Sequence, residues 1–416
     1  MTHKHFAPNV REEMNHAAFW IQRTPNPDHV IVHNREACNK IIAQQCQRVT
    51  NILSEPEWIS GPETRRLINR YVLPENEARY NAHGEPFPKN EYINIRDNLN
   101  THNIATKTQL EFGIPVQKTV VRAFPTWERN ALAPNNVSFD RFQETEIDVF
   151  TPIAIVHKSA DGEWFFAKTP LYAGWIPCKD IAVAGDRSNI EPLAAPKKFL
   201  MTTGSSVTAN NGSTFQMGTK IPLVERNANG SFLIQIPKRD VHGKLHLENS
   251  ILQAECDVHE GFLSYTTRNL FQQIFKMQGE PYSWGGRESG RDCTRLIIDT
   301  LATFGIQIPR NSGDQKNMGT ECLKREKKIE VDAIFDPAIE NLLPGTFLYS
   351  DGHAMTYLGT ESGHHYIMHA FSGYQHIASS LGTPLFGAHV TNLAIIRGGI
   401  AAIENARTLA NAGCNQ

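Results

Sequence analysis

The chain has 416 residues, 40% of them hydrophobic and 20% charged, and carries a formal net charge of −2. Such a composition is ordinary for a globular protein of two to four domains, and its charge gives no case for a nucleic-acid or anionic-membrane partner. No run of about 18 apolar residues is present, so no membrane span is expected. The start, Met1-Thr2-His3-Lys4-His5-Phe6-Ala7-Pro8, has no apolar signal-peptide core. The expectation is therefore either a cytoplasmic protein or one of the cell envelope or periplasm whose leader has been removed. The seven cysteines include no Cys-x-x-Cys pair, so neither a metal site, a cofactor nor a disulfide framework is expected.

Residues 1–101 read as a helical N-terminal domain. Ala37, Ile41, Ile42, Cys46, Val49, Ile52 and Leu53 recur near the 3.6-residue period and predict one amphipathic helix. Pro74 and the stretch from Asn81 to Pro88 break the pattern. An internal repeat follows at an offset of 68 positions. Thr151–Phe166 and Thr219–Ile234 each read as strand, turn and strand, with Asp161-Gly162 and Asn229-Gly230 at the turns. Tyr172-Ala173-Gly174-Trp175 is echoed by His242-Gly243-Lys244-Leu245. Two small all-β units, 102–190 and 196–256, are predicted as small barrels joined by a Pro- and Ala-containing linker. An aromatic beside Asp-Gly, followed by Tyr-x-Gly-Trp, resembles bacterial SH3 domains. Tyr172 is the candidate ligand contact, and barrel filling is the alternative role for these aromatics.

From 258 to 405 the pattern turns to helices followed by strands. Phe262, Leu270, Ile274, Phe275 and Met277 mark a helix ending at Gly279. A glycine-rich loop, Tyr282-Ser283-Trp284-Gly285-Gly286, then leads to Asp292-Cys293. After the cysteine, Leu296, Ile297, Thr300, Leu301 and Phe304 predict a helix stopped by Gly305. Cys293 is therefore placed in a first helical turn, where unpaired N–H groups favour a thiolate nucleophile. The alternative for any free cysteine is a small buried hydrophobe. The charged run 324–328 reads as a solvated face. Strands are predicted at 346–350, 354–358, 366–370 and 393–397, with a frayed helix after Ile400 and an inert Cys414.

A cysteine nucleophile needs a base, and the base needs an orienting group. His353 stands at a strand start after a tight turn, and His369 lies on the next strand. A hairpin centred on Glu361 makes them cross-strand partners, with Cβ atoms about 4.5–5.5 Å apart. A one-residue slip would put them on opposite faces. Asp351 is an alternative orienter, and His364 and His365 are expected to be solvated at the loop edge.

The series Tyr282-x-Trp284-Gly285-Gly286, Asp292-Cys293, Pro309-Arg310-Asn311-Ser312-x-x-Gln315, Gly352-His353, Tyr357-Leu358-Gly359 and His369-Ala370 resembles the NlpC/P60 family of cell-wall cysteine peptidases. The layout is similar to a subgroup with an N-terminal stabilising domain and two bacterial SH3 domains. This resemblance implies a multidomain α+β protein with a C-terminal papain-like α+β domain. It implies hydrolysis of the γ-D-glutamyl–diamino acid bond of peptidoglycan stem peptides, with meso-diaminopimelate the usual diamino acid and free N-terminal L-Ala preferred. It assigns Cys293 as nucleophile, His353 as base, His369 as orienter and Tyr282 as an oxyanion or substrate contact. Asp292, Ser312, Tyr172 and Asp140 are its expected contacts to the free amino end. Thr294-Arg295 stands where the family usually has Ser-Gly, and Asn311 where an aspartate is common. The alternatives are an amidase or acyltransferase on the same thiol fold, or a non-catalytic wall-binding protein.

Overall fold

A computed structural model describes residues 7–46, 49–325, 337–375, 382–383, 387–396 and 399–410. The chain divides into two compact units. One comprises Met1–Val49, Thr203–Ser205 and Phe262–Gln416; the other comprises Thr50–Thr202 and Ser206–Gly261.

The repeat of the sequence is visible in the second unit as the same three-stranded meander built twice. In the first copy Ile153–Lys158, Trp164–Lys168 and Ala173–Pro177 pair in succession, and in the second Lys220–Arg226, Phe232–Arg239 and Leu245–Leu252 do so. Each first hairpin turns at the predicted dipeptide, Asp161-Gly162 or Asn229-Gly230. The first copy lies in a seven-stranded antiparallel sheet and the second in a five-stranded one. These SH3-like β structures share one apolar core. Trp164, Phe166 and Trp175 of the first sheet belong to the same buried cluster as Leu200, Ile221 and Ile234 of the second. Phe150 stacks on Phe215 at 5.8 Å across the join. Helices Gly61–Ile68 and Lys89–Asn98 belong to this unit.

The long helix predicted through Leu53 is shorter. Arg35–Cys46 is helical, Thr50 is not, and Ile52–Ser54 is a separate 3₁₀ turn capped by the Asn51 side chain. An asparagine that accepts from the Leu53 N–H competes with continuation of the helix.

The first unit is an α+β structure around a six-stranded antiparallel sheet. Its strand order is Thr320–Lys324, Asn405–Thr408, Phe347–Ser350, His353–Glu361, His364–Phe371 and Gly387–Asn392. Helices Thr267–Phe275 and Cys293–Ala302 pack together, and the second lies against the two histidine-bearing strands. Three of the predicted strands are present, but the fourth is displaced. The strand is Gly387–Asn392, and Leu393–Ile395 is a 3₁₀ turn whose first N–H groups are capped by Asn392. The expected terminal helix is instead the Asn405–Thr408 strand. Two neighbouring strands satisfy its backbone groups and override its local pattern. The charged run is only partly solvated, because the Arg325 guanidinium donates to the Ile400 and Ile403 carbonyls. Residues 326–328, Arg397 and Cys414 lie outside the described residues.

Candidate active site

The glycine loop reaches Cys293 by a path that ordinary residues resist. Gly285 and Gly286 occupy φ values of 66° and 76°, where a Cβ is disfavoured. The loop then returns beside itself: Tyr282 bridges to Arg291, and the Ser283 N–H donates to the Arg291 carbonyl at 3.1 Å. Tyr282 is thereby placed alongside the segment that ends in Asp292-Cys293.

Asp292 is the N-cap of the Cys293–Ala302 helix. One carboxylate oxygen accepts from the Arg295 N–H at 2.9 Å and the Thr294 hydroxyl at 3.0 Å. The other accepts from the Gly285 N–H at 3.1 Å and from the Arg310 guanidinium. Those four bonds fill the lone-pair directions of a carboxylate. Burial pushes this carboxyl up, but Arg310 and the hydrogen bonds outweigh it and hold Asp292 below the usual range. Asp292 therefore anchors the loop, the helix start and Arg310, and its acceptor capacity is spent inside the protein.

Arg295, a long side chain where glycine was expected, is buried and bonded to Asp299 one turn on at 2.6 Å. Asp299 also accepts from Arg291 at 2.8 Å. Arg291 in turn pairs with Glu280 and donates to the Ser205 carbonyl. The helix that carries the cysteine is thus pinned by a buried ionic network on its polar side and by Leu296, Leu301 and Phe304 on its apolar side.

Cys293 is 8% exposed. Burial, reinforced by Asp292, pushes its thiol up to about 12. Hydrogen bonds from the Ala354 and Thr294 N–H groups and the Arg310 charge pull the other way. Loss of water thus opposes the thiolate that the helix start favours.

His353 follows the tight turn after Phe347–Ser350, with Ser350 and His353 paired across it. Its Nε2 lies 2.7 Å from Nδ1 of His369, and the Nε2 of His369 lies 2.9 Å from the Thr391 hydroxyl. Phe371 stacks on the His369 ring at 4.2 Å and 11°. The sequence-based register was two residues out. The hairpin turns at Ser362-Gly363, both with positive φ, and pairs Thr356 with Met368. Along that register Met355 stands opposite His369. A two-residue shift leaves both histidines on one face and makes their contact diagonal. Burial lowers His353 to about 4, against a raising influence from Asp292, and holds His369 well below its ordinary value.

His365 is not solvated. It is buried, with Nδ1 2.9 Å from the Tyr357 hydroxyl and Nε2 3.5 Å from Glu340. Asp351 is exposed in the turn. Ser312 opens the short Ser312–Gln315 helix that follows Arg310 and Asn311. Tyr172 belongs to the other compact unit, where its N–H donates to the Thr169 hydroxyl and Arg70 faces its ring. Asp140, the other expected amine contact, lies in that same unit as an internal counter-ion. It is 1% exposed, pairs with Arg122 at 2.9 Å and accepts from the Asn130 and Phe142 N–H groups. Thr391 and Asp299 were missed from sequence. The Arg295/Asp299 spacing of four on a helix was a readable signal; Thr391 had none, because only sheet pairing brings it to His369.

A buried thiol at a helix start is thus bonded by a backbone N–H of the strand that carries His353, and His353 is linked to His369 on the neighbouring strand. Residues 279–393 match the NlpC/P60 family and residues 125–177 an SH3 domain of the SH3b1 type, so the chain carries an NlpC/P60 domain and an SH3 domain. The chain is 29% identical over 96 residues to the bifunctional muramidase/DL-endopeptidase CwlT of Bacillus subtilis (strain 168), covering 23% of this chain and 26% of that protein. It is 30% identical over 150 residues to the peptidoglycan endopeptidase RipA of Mycobacterium tuberculosis (strain ATCC 25618 / H37Rv), covering 31% of this chain and 27% of that protein. The chain thus spans about a quarter of either relative's length. In fold it is similar to an NlpC/P60 endopeptidase from Photobacterium damselae subsp. piscicida, with a TM-score of 0.68, 19% identity, and coverage of 96% of this chain and 95% of that one.

Proposed function

We propose that the protein is a cysteine peptidase that hydrolyses the γ-D-glutamyl–diamino acid bond of peptidoglycan stem peptides, with Cys293 as nucleophile, His353 as base and His369 as its orienting partner. The observation that carries this reading is the 2.7 Å contact between the two imidazoles, one of them, His353, next to Ala354, whose N–H bonds the Cys293 thiol. With His353 Nε2–H donating to His369 Nδ1, and His369 Nε2–H donating to Thr391, the free lone pair of His353 is on Nδ1. That nitrogen takes the thiol proton as sulfur attacks the carbonyl carbon, and returns it to the leaving amine as the C–N bond breaks. Water then releases the acyl group from sulfur by the same base. The Cys293 backbone N–H and the Tyr282 hydroxyl are the proposed donors to the oxyanion. A preference for stems with free N-terminal L-Ala, with Ser312 and Tyr172 as amine contacts, is part of the same proposal.

The test is incubation with L-Ala-γ-D-Glu-diaminopimelate, free or blocked at its amino end, with products followed by mass. Cleavage of the free peptide between D-Glu and the diamino acid is expected, with the blocked peptide cut poorly and Cys293→Ala inactive but folded. Absence of cleavage of either peptide sinks the reading. Equal cleavage of both sinks only the amine preference.

A further inference from the structure

The second compact unit holds a cavity of about 580 Å³ that the proposed reaction does not use. Its floor is the buried Trp164, and its wall is Trp127, whose ring lies 4.7 Å from that of Trp164. Trp127 is 54% exposed, a large apolar area left uncovered at the mouth of a cavity. Four carboxylates, Glu91, Asp97, Glu128 and Asp161, line the same space, and none of its twelve lining residues is basic.

The walls are held in place from within. Glu91, Asn94, Ile95 and Asn98 recur at helical spacing and present one face of the Lys89–Asn98 helix to the cavity. The Asn98 amide donates to the Pro125 carbonyl and to Asp161, both at 2.9 Å, and so ties helix, Trp127 segment and Asp161 turn together. Asp161 also accepts from Ser159 at 2.5 Å and from the Glu163 N–H at 2.9 Å, which fixes its direction. The aromatic pair and the acidic rim therefore exist before any ligand arrives.

We infer that this cavity is a binding site for an alkyl ammonium group carried on a peptide side chain. An indole face attracts a cation through its quadrupole, and the four lining carboxylates add a field of the same preference. Lys179 already sets its ammonium 5.3 Å from the centre of the Trp127 ring, which shows that this indole accepts a cation in the folded protein. A neutral sugar would stack on Trp127 and hydrogen-bond the carboxylates but would not match their charge. The inference is independent of the reaction proposed at Cys293.

The probe is Nα-acetyl-L-lysine amide, titrated calorimetrically into the full chain. Its controls are Nα,Nε-diacetyl-L-lysine amide and N,N′-diacetylchitobiose. Saturable binding of the first probe alone is expected, weakening as salt is raised. Trp127→Ala should weaken it about fivefold to tenfold, the worth of a partly exposed cation–π contact. Asp97→Asn combined with Glu128→Gln should weaken it and flatten the salt dependence while leaving the indoles in place. If Trp127→Ala fails to fold by circular dichroism, the charge variant decides alone. Absence of saturable binding, equal binding of the diacetylated probe, or binding of the disaccharide in its place overturns the inference.

Discussion

Thr391 is the residue on which the orientation of the imidazole pair ends. Its hydroxyl is 2.9 Å from His369 Nε2, and both groups are buried. Thr391→Val keeps the shape and removes the bond, leaving a buried ring N–H unsatisfied at a cost of about 1–3 kcal/mol. Because His369 is then free to change tautomer or tilt, kcat should fall about tenfold to a hundredfold with KM little changed, and Thr391→Ser should restore it. A fall in stability with kcat intact would reduce Thr391 to a packing role. The same scale sets the pH response. His353 acts as a base only when neutral, and burial holds it at about 4. The acid limb of kcat/KM should therefore lie near pH 4 to 5, well below the limb near about 6.5 of a solvated imidazole. The thiol at about 12 should leave the alkaline side flat to about pH 10. A limb near 6.5 would show that the base is not desolvated in the working enzyme.

At the scale of elements, the Cys293–Ala302 helix depends on a charge pattern as much as on its apolar stripe. Asp299 receives both Arg291 and Arg295, all three buried. Asp299→Ala leaves two guanidinium groups without their shared partner and should cost about 3–5 kcal/mol of stability. Replacing Arg295 and Asp299 together by Met and Leu should recover much of that loss, since a buried pair is often no better than an apolar isostere. Thermal unfolding of the two variants checks this, and equal losses would refute it. The helix itself was legible: its stripe, its stop at Gly305 and its start at Asp292 are all local signals. The strand at 405–408 was not, because its stability comes from partners 56 to 88 residues away in the chain, from Tyr349 opposite Asn405 to Thr320 opposite Thr408.

For the whole molecule, the buried histidines make folding sensitive to acid. His353 has a folded value of about 4 and an unfolded value of about 6.5, so between those limits the unfolded chain binds the proton and the native one does not. Stability is fully present above about pH 6.5 and falls as pH drops toward 4, by on the order of 3 kcal/mol for this residue. His369, also held well below its ordinary value, acts in the same direction. Urea unfolding at pH 7.5 and pH 5 should show the loss, and His353→Gln should shrink it. An unchanged slope in that variant would assign the acid sensitivity to other groups.

Local chemistry in the chain was enough to place Cys293 at a helix start, His353 after a tight turn, His369 on the neighbouring strand, and the repeated meander with its two turn dipeptides. Each of these is written in residues close together, where turn preference and side-chain period act directly. The fold decided what depends on distant partners and on exclusion of water. It moved the histidine register by two residues and supplied Thr391. It placed Asp292 and Asp140 in internal ion pairs, joined buried residues of both β structures in one cluster, and buried the Cys293 thiol. Helix dipoles and loop glycines can be read from neighbours in sequence, but desolvation is set by everything packed around a group, and here it opposes the dipole.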